Sequence, residues 1–213
     1  MKNIINYKNC LKGGVKMIDT RWRGRFEPMF NYFSRILVRL KIKPDVITIV
    51  AFAIGLFSAI CIGFNKPIAA LILLWISGLL DALDGSVARL TGKSSARGAY
   101  MDLIFDRMVE AFIILGFTIL APSNYLAYIV FYISVIFNFT TFVVAGALFK
   151  NASEKSMHYD TGIAERTETF IVFSLMLIFK NHIMPILMIF NAIIFLTGII
   201  RFYKVIKYSK MAN

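Results

Sequence analysis

Six apolar runs, at about 46–64, 67–90, 98–121, 124–149, 166–180 and 183–204, divide this chain of 213 residues and leave only short polar segments between them. Crossing the hydrocarbon of a bilayer takes about 20 apolar residues. Inside that solvent the backbone must satisfy its own hydrogen bonds, which for runs of this length means α-helices. The expected fold is therefore an all-α integral membrane protein with six transmembrane helices. Apolar residues make up 58% of the chain and charged residues 17%, so a water-soluble globular domain is excluded. Residues 1–16 are polar and basic and read as a leader, while residues 17–213 read as a single membrane domain. Ahead of the first span, Phe26, Met29, Phe30, Phe33, Ile36, Leu37 and Leu40 recur at helical spacing, with Arg35, Arg39 and Lys41 between them. This predicts an amphipathic interfacial helix over about 26–43, with Pro28 in its first turn and Pro44 at its end.

The excess of 24 Lys and Arg over 12 Asp and Glu suggests nucleic acid at first sight, but the cations sit between apolar runs, away from any basic surface interleaved with stacking aromatics. Anionic lipid headgroups, topology and an acidic substrate account for them better. With the N-terminus in the cytoplasm, 21 of the 24 cations fall in cytoplasmic segments; only Lys66 and Lys180 lie outside and Arg107 lies within a span. Both termini are thus expected in the cytoplasm of a multi-pass cell-membrane protein. Cys10 and Cys61 form neither a metal-ligand cluster nor a disulfide framework.

The second and third spans meet at a cytoplasmic turn, where Asp81, Asp84, Asp102 and Asp106 lie in or beside apolar sequence. Ionised carboxylates there are costly unless compensated, which marks a functional site. Asp81 and Asp84 are three residues apart and Asp102 and Asp106 four apart, so each pair shares a helix face and the two can converge. Four clustered carboxylates demand counter-charge, and their oxygens suit hard divalent ions such as Mg²⁺ or Mn²⁺. Gly85, Ala88 and Gly98 leave the helices bare enough for a flat ligand such as a nucleotide base. Arg89 offers forked donors to a diphosphate and Ser95 a hydroxyl. Taken singly, the small residues also read as helix-packing positions, and one aspartate could pair with Arg107.

Residues 81–106 read D-x2-D-G-x2-A-R-x8-G-x3-D-x3-D, which resembles the signature of the CDP-alcohol phosphotransferase family at every fixed position. The resemblance implies that the four aspartates hold two metal ions, that Asp106 is also the general base, and that Gly85, Arg89 and Ser95 contact the CDP part of a CDP-linked lipid. It further implies that Asp45 and Thr48, in the stretch Lys43-Pro44-Asp45-Val46-Ile47-Thr48, line the cytidine end, and that the protein is a homodimer. The implied reaction passes a phosphatidyl-type group to a small polar alcohol or alcohol phosphate and releases CMP.

For the acceptor, the polar loop after the fourth span offers Lys155, His158 and Arg166 to an anionic group. Gly162 to Glu168 resembles the G-x-x-E-R-x-E-R stretch of the phosphatidylinositol-phosphate and archaetidylinositol-phosphate synthases, implying inositol phosphate. Thr169 stands where that stretch has a second Arg, and Ala152 where an upstream Arg would fall, so glycerol 3-phosphate and serine stay open. A reading of another class, a divalent-cation transporter, would use the same carboxylates as a permeation site.

Overall fold

In the computed structural model of the protein, residues 18–148 and 166–212 are described, with side chains described over 29–148 and 167–207. Residues 1–16, expected to be a leader, and the loop residues Lys155 and His158 lie outside the described residues. Every described element is helical: α1 (Ile18–Arg39), α2 (Pro44–Gly63), α3 (Pro67–Leu90), α4 (Ala96–Leu120), α5 (Tyr125–Leu148), α6 (Arg166–Ile178) and α7 (Ile183–Ala212), with single 3₁₀ turns at Pro122–Asn124 and Lys180–His182.

Proline and glycine place several of these boundaries. Pro44 and Pro67 open α2 and α3, where the missing N–H removes a donor that has no intrahelical partner. Pro44 is thus the start of α2 rather than the end of α1. Pro28, expected in the first turn of an interfacial helix over 26–43, instead lies inside α1, which begins eight residues earlier at Ile18. The apolar periodicity that suggested a start at Phe26 marks only the amphipathic part of a longer helix. Gly92, with φ of 64°, supplies the left-handed residue that reverses the chain after α3.

Four helical segments are long and apolar enough to cross a membrane: Pro44–Gly63, Pro67–Leu90, Pro122–Leu148 and Lys180–Lys207. The other two expected spans depart from that standard for different reasons. Helix α4 has 25 residues but carries Asp102, Asp106, Arg107 and Glu110 within its apolar sequence. Helix α6 has only 13 residues.

Helices α3 and α4 each pack on α2 to make a trio, α5 packs along α7, and α6 joins the halves by touching α3 and α7. One buried core connects them, running from Ile62, Leu74, Ile113 and Phe117 to Tyr128, Phe131, Phe173, Leu187 and Phe190. Within the trio α2 and α4 run in the same direction. Phe52 stacks on Phe105 at 4.5 Å, and farther along Gly116 lies against the Ala59 carbonyl. Two serines tie α3 to α2: Ser77 Oγ donates to the Ala51 carbonyl at 2.8 Å and Ser58 Oγ to that of Ala70 at 2.8 Å. Each satisfies a hydroxyl that hydrocarbon would otherwise leave unpaired. Many large side chains on the outer faces, among them Phe57, Trp75, Leu126, Ile136 and Ile189, are exposed, as the lipid-facing surface of such a bundle requires.

Candidate active site

The turn between α3 and α4 is built locally. Thr91 Oγ1 donates to the Val87 carbonyl at 2.8 Å as α3 ends, and Ser95 caps α4 by accepting from the Gly98 N–H at 3.0 Å. The carboxylates lie within about 15 Å of this turn, counting 1.5 Å per helical residue. One oxygen from each of Asp81, Asp102 and Asp106 lies within 4.8 Å of the other two. A six-coordinate ion with oxygens at about 2.1 Å holds neighbouring ligands roughly 3 Å apart and opposite ones about 4 Å apart, so small side-chain movements close the set. Three half-buried carboxylates and no nitrogen or sulfur donor form the hard-oxygen set that suits Mg²⁺ or Mn²⁺. Asp84, one turn farther along α3, is only 6% exposed and is not one of these three.

Residues expected at the CDP end are placed as follows. Gly85 and Ala88 are half-buried on α3 next to the acids. The Arg89 guanidinium donates to Ser86 Oγ at 3.0 Å, and a Cβ added at Gly85 would meet only the Arg89 Nη1, at 3.4 Å. Asp45, Ser95 and Gly98 come together although 50 residues separate the first two. A Cβ at Gly98 would lie 3.3 Å from Ser95 Oγ and 3.7 Å from Asp45 Oδ1. Asp45 also faces Arg97 at 3.7 Å, a pair so exposed that it adds little stability. Thr48, also expected at the cytidine end, is buried, and its hydroxyl donates to the Pro44 carbonyl at 3.1 Å. Arg166 opens α6, but its side chain, with Lys155 and His158, lies outside the described residues.

Two polar features escaped the sequence reading. Arg107 forms a 2.7 Å ion pair with Glu110, which is 3% exposed, and its guanidinium lies 6.0 Å from the Phe139 ring centre on α5. Arg201, one of the cations expected on the cytoplasmic side, is only 7% exposed. Its guanidinium donates to the Asn138 carbonyl at 3.0 Å and to Asn138 Oδ1 at 2.8 Å, and stands 5.3 Å from the Phe142 ring. Charge at i,i+3 within an apolar run was the available signal for the first, and an arginine and an asparagine inside apolar runs for the second. Both arginines lie against the same turn of α5, Arg201 by hydrogen bonds and Arg107 over the Phe139 ring.

Comparison with known proteins identifies the family. Residues 41–200 match the family model described as CDP-alcohol phosphatidyltransferase. The inner membrane protein YnjF of Escherichia coli K12 is 31% identical over 193 residues, covering 87% of this chain and 93% of its own length. The archaetidylinositol phosphate synthase of Pyrococcus horikoshii is 35% identical over 94 residues, covering 44% of this chain and 50% of its own. The fold is similar to that of Mycobacterium tuberculosis phosphatidylinositol phosphate synthase (PgsA1), solved with CDP-DAG bound, with a TM-score of 0.63, 20% identity and coverage of 86% of this chain and 92% of that one. The same protein has been solved with manganese and citrate (TM-score 0.62, 20% identity, 85% and 87% coverage). A match that spans the aspartate turn and nearly all of the helical bundle leaves one conclusion: the chain belongs to the CDP-alcohol phosphatidyltransferase family, membrane transferases of phosphate-containing groups.

Proposed function

We propose that this chain transfers a phosphatidyl-type group from CDP-diacylglycerol or a similar CDP-linked lipid to an alcohol, releasing CMP, at a two-ion carboxylate site on the cytoplasmic side of a six-span membrane protein. The observation that carries the reading is the convergence of Asp81, Asp102 and Asp106 from two helices onto one small volume. Those three residues, with Asp84, would hold the ions. When bound, such ions draw negative charge off the diphosphate and stabilise the departing CMP. The chain's own groups do the rest. Gly85 lets the nucleotide approach the backbone of α3, Arg89 and Ser95 offer donors to the diphosphate, and Asp45 and Gly98 border the space between the starts of α2 and α4 where cytidine would lie. The acceptor hydroxyl attacks the lipid-side phosphorus as the phosphoanhydride bond to CMP breaks, and its proton passes to a carboxylate oxygen of Asp106.

An alcohol phosphate is the acceptor the charges favour. Arg201 brings a buried guanidinium to the turn of α5 that Arg107 also touches, and Lys155, His158 and Arg166 belong to the segment leading into α6. Two of the similar proteins are inositol-phosphate-type synthases by name, which supports inositol phosphate ahead of glycerol 3-phosphate or serine. The positive-inside distribution supports cytoplasmic termini. Family likeness supports a homodimer. The cation-permeation reading gains nothing from carboxylates gathered near a single turn.

The deciding experiment is CMP release by purified protein in liposomes with CDP-diacylglycerol and Mg²⁺ or Mn²⁺, offered inositol 1-phosphate, glycerol 3-phosphate, serine and inositol in turn. Release with inositol 1-phosphate alone is the expected result; release with serine alone overturns the anionic acceptor, and no release with any acceptor overturns the reaction. Gly85→Ala tests the nucleotide approach separately. Its new methyl meets only the mobile end of Arg89, so Tm should stay within about 2 °C. A methyl between backbone and ligand should raise KM for the CDP-lipid about tenfold. An unchanged KM removes Gly85 from the donor site.

A further inference from the structure

One helical turn beneath the aspartates, on the side away from the α3–α4 turn, three helices meet at Gly55 of α2. A Cβ built there would lie 2.8 and 2.9 Å from the two methyls of Val109 and 2.9 Å from Ser77 Oγ, so no side chain larger than hydrogen fits without movement. The two neighbours belong to the helices that carry the metal-ligand candidates. Ser77 is four residues before Asp81 and Val109 is three residues after Asp106, so each stands under an aspartate on its own helix face. The junction is also rigid. Ser77 Oγ is committed to the Ala51 carbonyl at 2.8 Å, one turn from Gly55 on α2. Phe105, next to Asp106, stacks on Phe52 at 4.5 Å. Val109 is β-branched, with one strongly preferred rotamer in a helix, and cannot swing aside.

We infer that Gly55 is a positioning residue: by letting α3 and α4 both close onto α2, it sets the separation between Asp81 on one helix and Asp102 and Asp106 on the other. The inference rests on the metal reading proposed above and adds what holds the ligand set at that spacing. Carbon atoms normally approach to about 3.5–4.0 Å, so a methyl at residue 55 must open the junction by roughly 0.7 Å or more. Helices moved apart by that much leave their carboxylates, already up to 4.8 Å apart, larger side-chain movements to make before they close on one ion, and loss of a group that orients metal ligands typically costs about 10–100-fold in metal affinity. Gly55 itself touches neither substrate nor ion.

The test is direct Mn²⁺ binding to the full chain in detergent, read by electron paramagnetic resonance without substrate, with Mn²⁺ dependence of CMP release alongside. Gly55→Ala should weaken Mn²⁺ binding by at least about tenfold. Adding Val109→Ala removes both Val109 methyls that the new Cβ would meet and leaves only Ser77 Oγ, at 2.9 Å, so the double variant should recover a substantial part of the lost Mn²⁺ binding. A general loss of stability would lower the active fraction without moving the Mn²⁺ midpoint, and opening a second site would not repair it. Val109→Ile presses on Gly55 from the opposite side and should weaken Mn²⁺ in the same sense, which keeps the test available if Gly55→Ala fails to fold. Unchanged Mn²⁺ binding in a folded Gly55→Ala overturns the inference, as does weakening that Val109→Ala leaves unrepaired. If the parent binds no Mn²⁺ and Asp106→Asn changes nothing, the metal reading itself falls and takes this inference with it.

Discussion

Asp106→Asn is expected to reduce CMP release from a CDP-lipid by about 10³-fold or more, because one substitution removes both a candidate ligand and the group that takes the acceptor proton. Asparagine nearly matches aspartate in shape, so binding of the CDP-lipid should survive and the loss should appear in kcat. Asp81→Asn and Asp102→Asn delete a ligand without deleting the base. Each offers one oxygen to the same group as Asp106. Their activity should therefore recover in part as Mn²⁺ is raised, whereas that of Asp106→Asn should not. Asp84→Asn separates the ions: Asp84 is buried and is not one of those three, and if it holds a second ion, its loss should lower the number of Mn²⁺ bound. Turnover in Asp106→Asn within tenfold of the parent excludes it as the base. Full recovery of that variant at high Mn²⁺ would leave it as a ligand only.

The aspartate turn was legible because helix geometry converts residue spacing into direction. Separations of three and four put Asp81 with Asp84, and Asp102 with Asp106, on shared faces before any packing is known. Legibility failed where placement depends on which helix lies beside which. Asp84 shares a face with Asp81 in sequence terms, and packing then buries it to 6% exposure while Asp81, Asp102 and Asp106 stay half-buried. Asp45 meets Ser95 and Gly98 only because α2 and α4 start side by side, and Thr48, one turn along, turns its hydroxyl back onto Pro44. Arg201 reads as one more cytoplasmic cation until α7 packs on α5 and brings it to Asn138, 63 residues away. Helix α4 reads as a poorer span than its neighbours because it carries Asp102 and Asp106 of the candidate site and the Arg107–Glu110 pair. Glycine is the hardest residue to read. Gly85, at the open site, and Gly55 and Gly116, at closed junctions, look alike in sequence and differ only in what would meet an added methyl.

That difference makes Gly116→Ala the substitution expected to cost the most stability. A Cβ at this position would stand 2.4 Å from the Ala59 carbonyl oxygen, 3.2 Å from its carbonyl carbon and 3.1 Å from Ile62 Cβ. These are backbone and backbone-proximal atoms of α2, so relief requires the whole helix to move. Replacing glycine by alanine in a helix gains about 1 kcal/mol in the absence of a clash. Overpacking of a close junction costs roughly 1–3 kcal/mol and sometimes more, and a backbone obstacle puts this site at the upper end. A net loss of about 2–3 kcal/mol corresponds to a fall in Tm of roughly 4–12 °C for a chain of this size. Gly63→Ala is the matched control, since its Cβ would meet only Ile119 atoms at 3.6–3.7 Å, ordinary contact distances. Thermal unfolding of both variants in the same detergent should show Gly63→Ala near the parent and Gly116→Ala far below it. Equal Tm values would mean that α2 and α4 are not held at backbone contact here. Because the two helices run in the same direction, the Gly116 contact and the Gly55 junction brace one interface at two depths. Opening it at Gly116 should tilt α4 and disturb Asp102 and Asp106 less than opening it at Gly55, directly beneath them.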